Sequence, residues 1–334
     1  PHRRLNDENY LQSPSEMTVL FSWCPQALQN TLEIAGRCQP ALNPEEKRYP
    51  RFPLPEGVSA EAFLREQVYA GARQRYRRIA PAVAERLEKE LSVIFRLGYA
   101  EYFLVVWDLV RYARSRGIRC SGRGSAGASA VACCLGLTEV DPIARGLVFE
   151  RFLSLERAEK PDIDLDFDSR RRDEVAEYVY RKYGAERVAA VATYSTYRAR
   201  SAVRDLGRVM GYNAEEIDAL AKNLPYLPAD GILPALDRFP ELRRGPWKKE
   251  RYRPLLQYCA RLAGLPRFLS THLGGLIVTD RPVTEVTPLQ WAAKGVRIAQ
   301  FDRDDVEDLN LVKLDLLSLK ALSVLEDAAE DISR

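Results

Sequence analysis

The sequence predicts an α+β fold, on three observations. Helix-like and strand-like stretches are mixed without a regular βαβ alternation. Two short runs, IDLDF at 163–167 and LVKLDLL at 311–317, place charged residues at alternate positions of otherwise apolar strands. A largely helical stretch at about 195–270 separates the first strand-like runs from the last ones, and reads as an insertion into a sheet domain.

Taken in order, the chain first predicts helix to about Cys38, with a capping-box pattern in which Ser13 precedes Glu16 by three residues. The proline-rich stretch 39–57 follows and excludes a long helix or a central strand. One long helical region is expected over 60–97, with its many Arg and Glu residues on a solvated face. The run YFLVVWDLVRYAR (102–114) reads as a buried helix. A glycine-rich turn opening into a small-residue helix comes next, then the IDLDF strand and an amphipathic helix. AAVATYST (189–196) predicts a strand or a strand-to-helix switch, and 197–210 a basic amphipathic helix. The stretch 213–265 is helical, broken at PYLP and RRGPW. GGLIVTD and LVKLDLL then read as strands, with FDRDDVEDLN between them.

The 334 residues suffice for two or three domains. Net charge is only +3, so any affinity for nucleic acid has to come from local clusters. The six cysteines show no CxxC spacing and there are only two histidines, His2 and His272, which argues against a zinc site. Cys133 and Cys134 lie in an apolar run and read as buried thiols of a reducing cytosol. Neither a signal peptide nor a membrane-spanning stretch is present, so a cytoplasmic location is expected. The chain opens on Pro1 and stops inside a helical pattern, so it is expected to be a piece of something longer.

The sharpest chemical signal is Asp164-Leu165-Asp166. On a strand both carboxylates face one way, with Cα atoms roughly 7 Å apart, while Ile163, Leu165 and Phe167 face the core. Paired carboxylates repel and are costly to desolvate, and a hard divalent cation such as Mg²⁺ relieves both effects. Asp162 and Asp168 are alternative ligands. An EF-hand loop is excluded, because its sixth position would be Phe167 and its twelfth Asp173. A second signal is the run from Gly122 to Ser129, in which Gly122, Arg123, Gly124 and Ser125 suit a phosphate cradle ahead of a helix N-terminus; tight packing alone would explain it equally well. A third is Asp315, which shares a strand face with Lys313, either as a buried ion pair or as a third carboxylate beside a phosphate contact. Together they describe a two-metal phosphoryl-transfer site. Arg200, Arg204 and Arg208, with Arg198 at the start of the same helix, form a basic ridge suited to nucleic-acid phosphates, against the plainer reading of a solvated face. RRGPWKKERYR (243–253) is a second basic cluster, equally open to being an exposed loop.

These motifs resemble the alpha subunit of bacterial DNA polymerase III, the C family of DNA polymerases, over nearly the whole chain. The resemblance is carried in order by GYAEYFLVVWDLV, SGRGSAGAS, FERFLSLERAEKPDIDLDF, THLGGLIV, FDRDDVE and LVKLDLLSLK. It implies a polymerase beta-like nucleotidyltransferase palm with an inserted helical thumb: 1–43 as the tail of a PHP domain, 44–194 and 271–322 as palm, 195–270 as thumb and 323–334 as the start of the fingers. It further implies Asp164, Asp166 and Asp315 as catalytic ligands of two Mg²⁺ ions, with Gly124 and Ser125 at the incoming triphosphate and Arg123 and Lys313 nearby. Substrates would be primer–template DNA and a dNTP, and a full-length parent would meet a sliding clamp and other replisome subunits in the bacterial cytoplasm. Cys120-Ser121 stands where a glycine-proline is frequent, so a main replicase and an error-prone relative both remain open. With fingers barely begun, the isolated chain is expected to be inactive. A two-metal phosphodiesterase and a non-catalytic DNA-binding fragment are the competing readings; the GRGS-type run argues against the first and the apolar frame around the three aspartates against the second.

Overall fold

The computed structural model describes residues 10–39, 42, 49–156, 160–239, 242 and 250–333. The chain divides into two compact units, residues 1–45 and 46–334. In the first, helices α1 (Pro14–Leu20) and α2 (Pro25–Arg37) bury no residue. The expected capping box starts α1: Ser13 Oγ accepts from the Glu16 N–H at 3.3 Å, and the Glu16 carboxylate accepts from the Ser13 N–H at 2.7 Å.

The second unit opens with α3 (Ala60–Arg75), α4 (Pro81–Leu97) and α5 (Ala100–Ser115). The single helical region expected over 60–97 is thus two helices. Pro81 has no N–H for a preceding turn and drives Ala80 into extended backbone, ψ 153°, so it starts a new helix. Helix α5 is the buried helix the sequence predicts, with Phe103, Leu104, Val105, Val106 and Leu109 fully enclosed.

A strand not anticipated follows, β1 (Cys120–Arg123), then a 3₁₀ turn (Gly124–Ala128) and the short α6 (Ala130–Cys134). Cys133 and Cys134 are buried as expected, and burial raises their thiols to about 11 and about 12. Next come β2 (Asp164–Asp168), α7 (Arg172–Tyr183) and β3 (Val188–Thr196). The helical insertion holds α8 (Ala199–Val209), α9 (Ala214–Lys222), α10 (Ile232–Arg238) and α11 (Arg253–Arg261). The chain re-enters the sheet in β4 (Pro266–Val278), continues through β5 (Leu289–Trp291), β6 (Arg297–Ala299), α12 (Arg303–Asp308) and β7 (Lys313–Leu319), and ends in α13 (Lys320–Ser333). Residues 243–249, most of the second basic cluster, and His2 lie outside the described residues.

The strands form one mixed sheet of order β1-β2-β7-β4-β3-β6-β5. One face, with Leu165, Phe167, Leu314, Leu316, Leu276 and Val278, packs on the helices in the main core. The other carries Ala189, Val191 and Ile277, which close with Val283 and Val306 into a smaller core. The insertion has a core of its own, built from residues such as Val203, Leu220, Ile232 and Leu255. β3 and β4 stay paired out to Thr196↔Pro266, so a two-stranded ribbon carries the helices of the insertion.

Candidate functional site

The site lies where β2 and β7 run parallel, second and third from one edge of the sheet. Their register sets Asp164 opposite Asp315, and paired residues of neighbouring strands share a face. Asp164 and Asp166 alternate with Leu165 and Phe167, which are 2% and 0% exposed in the main core. The apolar residues of IDLDF therefore hold its acids on the opposite face.

Carboxylate oxygens of Asp162, Asp164 and Asp315 come within 4.8 Å of one another, and among the described residues this is the group able to hold a metal ion. The trio expected from the sequence was Asp164, Asp166 and Asp315. Asp166 stands outside this group and faces Arg123 instead, whose guanidinium lies 3.6 Å from Asp166 and 3.5 Å from Asp164. Burial, followed by the Asp164 charge, raises the Asp166 carboxyl above its ordinary value against the pull of Arg123. Asp162 is the most open of the three clustered acids, yet protein crowding on its remaining sides and the Asp164 charge raise it too.

Asp168, the other alternative ligand, serves elsewhere. Burial works to raise its carboxyl, but hydrogen bonds from the Ser323 hydroxyl at 2.7 Å and the Arg170 N–H at 2.8 Å outweigh this and hold it low. It ties β2 to α13.

Asp315 is 6% exposed, and its two oxygens differ. Oδ2 lies 2.5 Å from Lys313 Nζ, so the ion pair foreseen for these residues is present. Oδ1 is buried without a hydrogen-bond partner, 4.0 Å from His272 Nδ1. Nδ1 accepts the Gly275 N–H at 2.9 Å, and burial lowers the imidazole pKa, so His272 is neutral here. A buried carboxylate oxygen with an open lone pair, beside two further carboxylates, fits a hard divalent cation. Next to these acids is a cavity of about 600 Å³, lined among others by Lys160, Asp162, Arg303, Lys313 and Tyr102.

The expected phosphate cradle is built differently from the sequence expectation. Gly122 lies in β1, paired with Leu165, and Arg123 pairs with Asp164, so the glycine-rich run begins beside the acids. Gly124 turns the chain with φ +73°, and Ser125 is exposed. The helix N-terminus thought to favour phosphate is already taken. Glu90 of α4, fully buried, accepts from the N–H groups of Ala130 and Val131 at 3.0 Å each and from the Ser129 hydroxyl at 2.8 Å. Arg86, one turn earlier, donates to Glu90 at 2.6 Å and to the carbonyls of Ala128 and Leu147. Glu90 is one of the residues expected on a solvated face. The signal against that was its place beside Leu87, Leu91 and Ile94, the buried stripe of α4.

The arginine ridge is partly neutralised within the insertion. Arg200 Nε donates to the Leu224 carbonyl at 2.7 Å, Arg204 pairs with Asp218 and Arg208 with Asp205. Arg198 stacks over Tyr226 at 4.6 Å. Arg198, Arg200 and Arg204, with Arg267, line a cleft of about 240 Å³, and Arg267 is a member that sequence spacing did not reveal.

The fold and site define a mixed-sheet α+β domain that presents clustered carboxylates from two parallel strands beside a glycine loop. The chain belongs to the family described as the bacterial DNA polymerase III alpha NTPase domain, which its residues 62–318 match. It is 56% identical over 99% of its length to an error-prone DNA polymerase of Symbiobacterium thermophilum, covering 31% of that protein. It is 39% identical to the DNA polymerase III subunit alpha of Bacillus subtilis over 97% of the chain and 29% of the relative. To an error-prone DNA polymerase of Mycobacterium bovis it is 41% identical over 96% of the chain and 28% of the relative. The chain thus spans about a third of the length of these curated relatives. No helix among the described residues is long and apolar enough to cross a membrane.

Proposed function

We propose that this chain is the catalytic palm and the helical thumb of a DNA-directed DNA polymerase, joining a dNTP to a primer 3′-hydroxyl on a template strand. The observation that carries this reading is the carboxylate cluster on β2 and β7, with the partnerless Oδ1 of Asp315 inside it and the GRGS-type loop leading away from it. Asp164 and Asp315 would hold Mg²⁺, with Asp162 or Asp166 completing the set of protein ligands, and two ions are expected. When bound, such ions supply charge neutralisation at the triphosphate and a lowered pKa at the attacking hydroxyl.

The chain's own residues do the rest. Lys313 holds Asp315 in place through Oδ2, leaving Oδ1 for the cation. Gly124 and Ser125 offer a backbone approach and a hydroxyl to phosphate oxygens, and Arg123 leaves its carboxylate pair to meet the triphosphate. The insertion between β3 and β4 is the thumb, and its cleft of arginines grips duplex phosphates. In the longer protein, a sliding clamp and other replisome subunits would be partners. The family fits a main replicase or an error-prone relative.

The test is Mg²⁺-dependent binding of a dNTP with primer–template DNA. The chain is compared with its Asp164→Asn and Asp315→Asn variants, and the Asp162→Asn and Asp166→Asn variants assign the remaining ligand. Loss of metal-dependent binding in the first two is expected. Unchanged binding in both would place the metal, and the chemistry, elsewhere.

A further inference from the structure

The segment His272-Leu273-Gly274-Gly275 breaks the sheet beside Asp315. The register of β3 and β4 runs Ala190↔Leu276 and then Ala192↔Thr271, so one residue of β3, Val191, faces four of β4. Pairing of β4 with β7 ends at Gly275↔Asp315. A bulge of this kind re-aims side chains, and here it does so at the edge of the acid cluster.

The bulge is held from several directions. The glycines leave no alternative: a Cβ on Gly274 would stand 2.5 Å from the Leu316 carbonyl oxygen, and one on Gly275 would meet the His272 ring at 2.9 Å. The imidazole thus occupies the place of a Gly275 side chain, and its Nδ1 takes that residue's N–H at 2.9 Å. From α7, Arg172 donates to the Leu273 carbonyl and to the Leu316 carbonyl, at 2.9 Å each. Arg172 therefore gives the interrupted ladder the hydrogen bonds its own strands do not make.

The residue displayed by this arrangement is Leu273, 90% exposed. A single exposed leucine is ordinary. One fixed on a clamped bulge, two residues from the partner of a metal-binding aspartate, is placed for contact. A polymerase has to accept all four base pairs at its primer end. An aliphatic side chain offers no hydrogen bond with which to tell bases apart, so it reads only what correct pairs share: the sugar face and the outline of the groove edge.

We propose that Leu273 is a specificity-determining residue that packs against the primer-terminal nucleotide pair and registers its shape; this rests on the polymerase reading given above. His272 and Arg172 are positioning residues that hold the bulge.

The experiment uses the whole 334-residue chain with Mg²⁺ and primer–template duplex. A Leu273→Cys variant is offered primers bearing a disulfide tether either on the 3′-terminal nucleotide or one helical turn upstream. The unsubstituted chain measures the background from native cysteines, and Trp291→Cys, 72% exposed on β5, serves as a surface control. Crosslinking above both controls, at the terminal nucleotide only, is expected. In parallel, Leu273→Ala should weaken binding of a matched terminus by roughly fivefold and leave a mismatched terminus unchanged. If duplex binds but Leu273→Cys crosslinks no better than the controls, or if Leu273→Ala keeps its preference for a matched terminus, the proposal is overturned alone. If the unsubstituted chain does not bind duplex, the reading of this chain as a palm and thumb that hold duplex fails, and the proposal with it.

Discussion

Arg123 and Asp166 illustrate how much of this site is decided by charge balance between single residues. The Arg123 guanidinium stands 3.5 Å from Asp164 and 3.6 Å from Asp166, longer than a close bidentate pair, and its side chain is half exposed. It offsets the repulsion between the two acids without locking either. Asp166 is buried, and its carboxyl remains raised despite that neighbour. A group whose folded pKa lies above its unfolded value stabilises the fold in its protonated form, and that contribution is lost as pH rises through the folded pKa. At neutral pH, then, the ionised Asp166 costs stability that a neutral amide would not. In metal-free buffer Asp166→Asn should melt higher than the parent chain at pH 7, and the gap should close as pH falls below the ordinary aspartate range. A thermal melt series from pH 7 to pH 3.5 checks this; a variant that melts lower at pH 7 would mean that Arg123 more than compensates the buried charge. The IDLDF alternation made this carboxylate pair legible in the sequence. Which acids cluster was not legible, because that depends on β2 and β7 meeting with Asp164 opposite Asp315, and on Arg123 arriving from β1.

At the scale of elements, the clearest case is the brace between α4 and the glycine loop. Glu90 accepts from Ser129, Ala130, Val131 and Arg86, so one buried carboxylate closes the N-terminus of α6 and fixes the end of the loop that starts at Gly124. Removing it leaves the Ala130 and Val131 N–H groups and the Ser129 hydroxyl without this acceptor, and Arg86 without its buried counter-charge. Glu90→Ala is expected to cost about 3 kcal/mol, with Glu90→Gln costing less because the amide oxygen keeps part of the set. Urea unfolding measures the loss, and faster proteolysis within 124–128 in the alanine variant would locate it at the loop. Equal stability of both variants and the parent would remove Glu90 from this role. The sequence hid the brace because Arg86 and Glu90, four apart among many charges, read equally well as a solvated pair. Elements whose evidence is local were legible: the Ser13 capping box, the buried α5 and the strands around Asp164 and Asp315. Strand β1 was not, since its four residues become a strand only by pairing with β2. The start of β4 at Pro266 escaped for the same reason, being set by its ladder with β3.

At the scale of the molecule, the sheet and the insertion have separate cores, and the β3–β4 ribbon links them. On the proposed reading, duplex would meet carboxylates on the sheet and arginines on the insertion, and its phosphates would bind where positive charge is concentrated. Net charge is only +3, so attraction has to be local, and the cleft of Arg198, Arg200, Arg204 and Arg267 gathers four cations among the described residues. The arginines differ in what already holds them. Arg204, Arg208 and Arg267 are paired with Asp218 or Asp205, while Arg198 lies on Tyr226 and Arg200 uses Nε for a backbone carbonyl. An arginine engaged with a carboxylate contributes less net charge to a phosphate than one stacked on a ring or bonded to a carbonyl. Duplex affinity should therefore fall with added salt, and the slope of log affinity against log salt should shrink by about one unit for each phosphate contact removed. Arg198→Ala and Arg200→Ala are each expected to reduce that slope by about one, whereas Arg208→Ala, outside the residues lining the cleft, should leave it nearly unchanged. Fluorescence anisotropy of labelled duplex across a salt series reads all three. A slope reduced equally by Arg208→Ala would assign the grip to the whole basic helix and not to the cleft, and a slope insensitive to Arg198 and Arg200 would take the duplex off this face of the insertion.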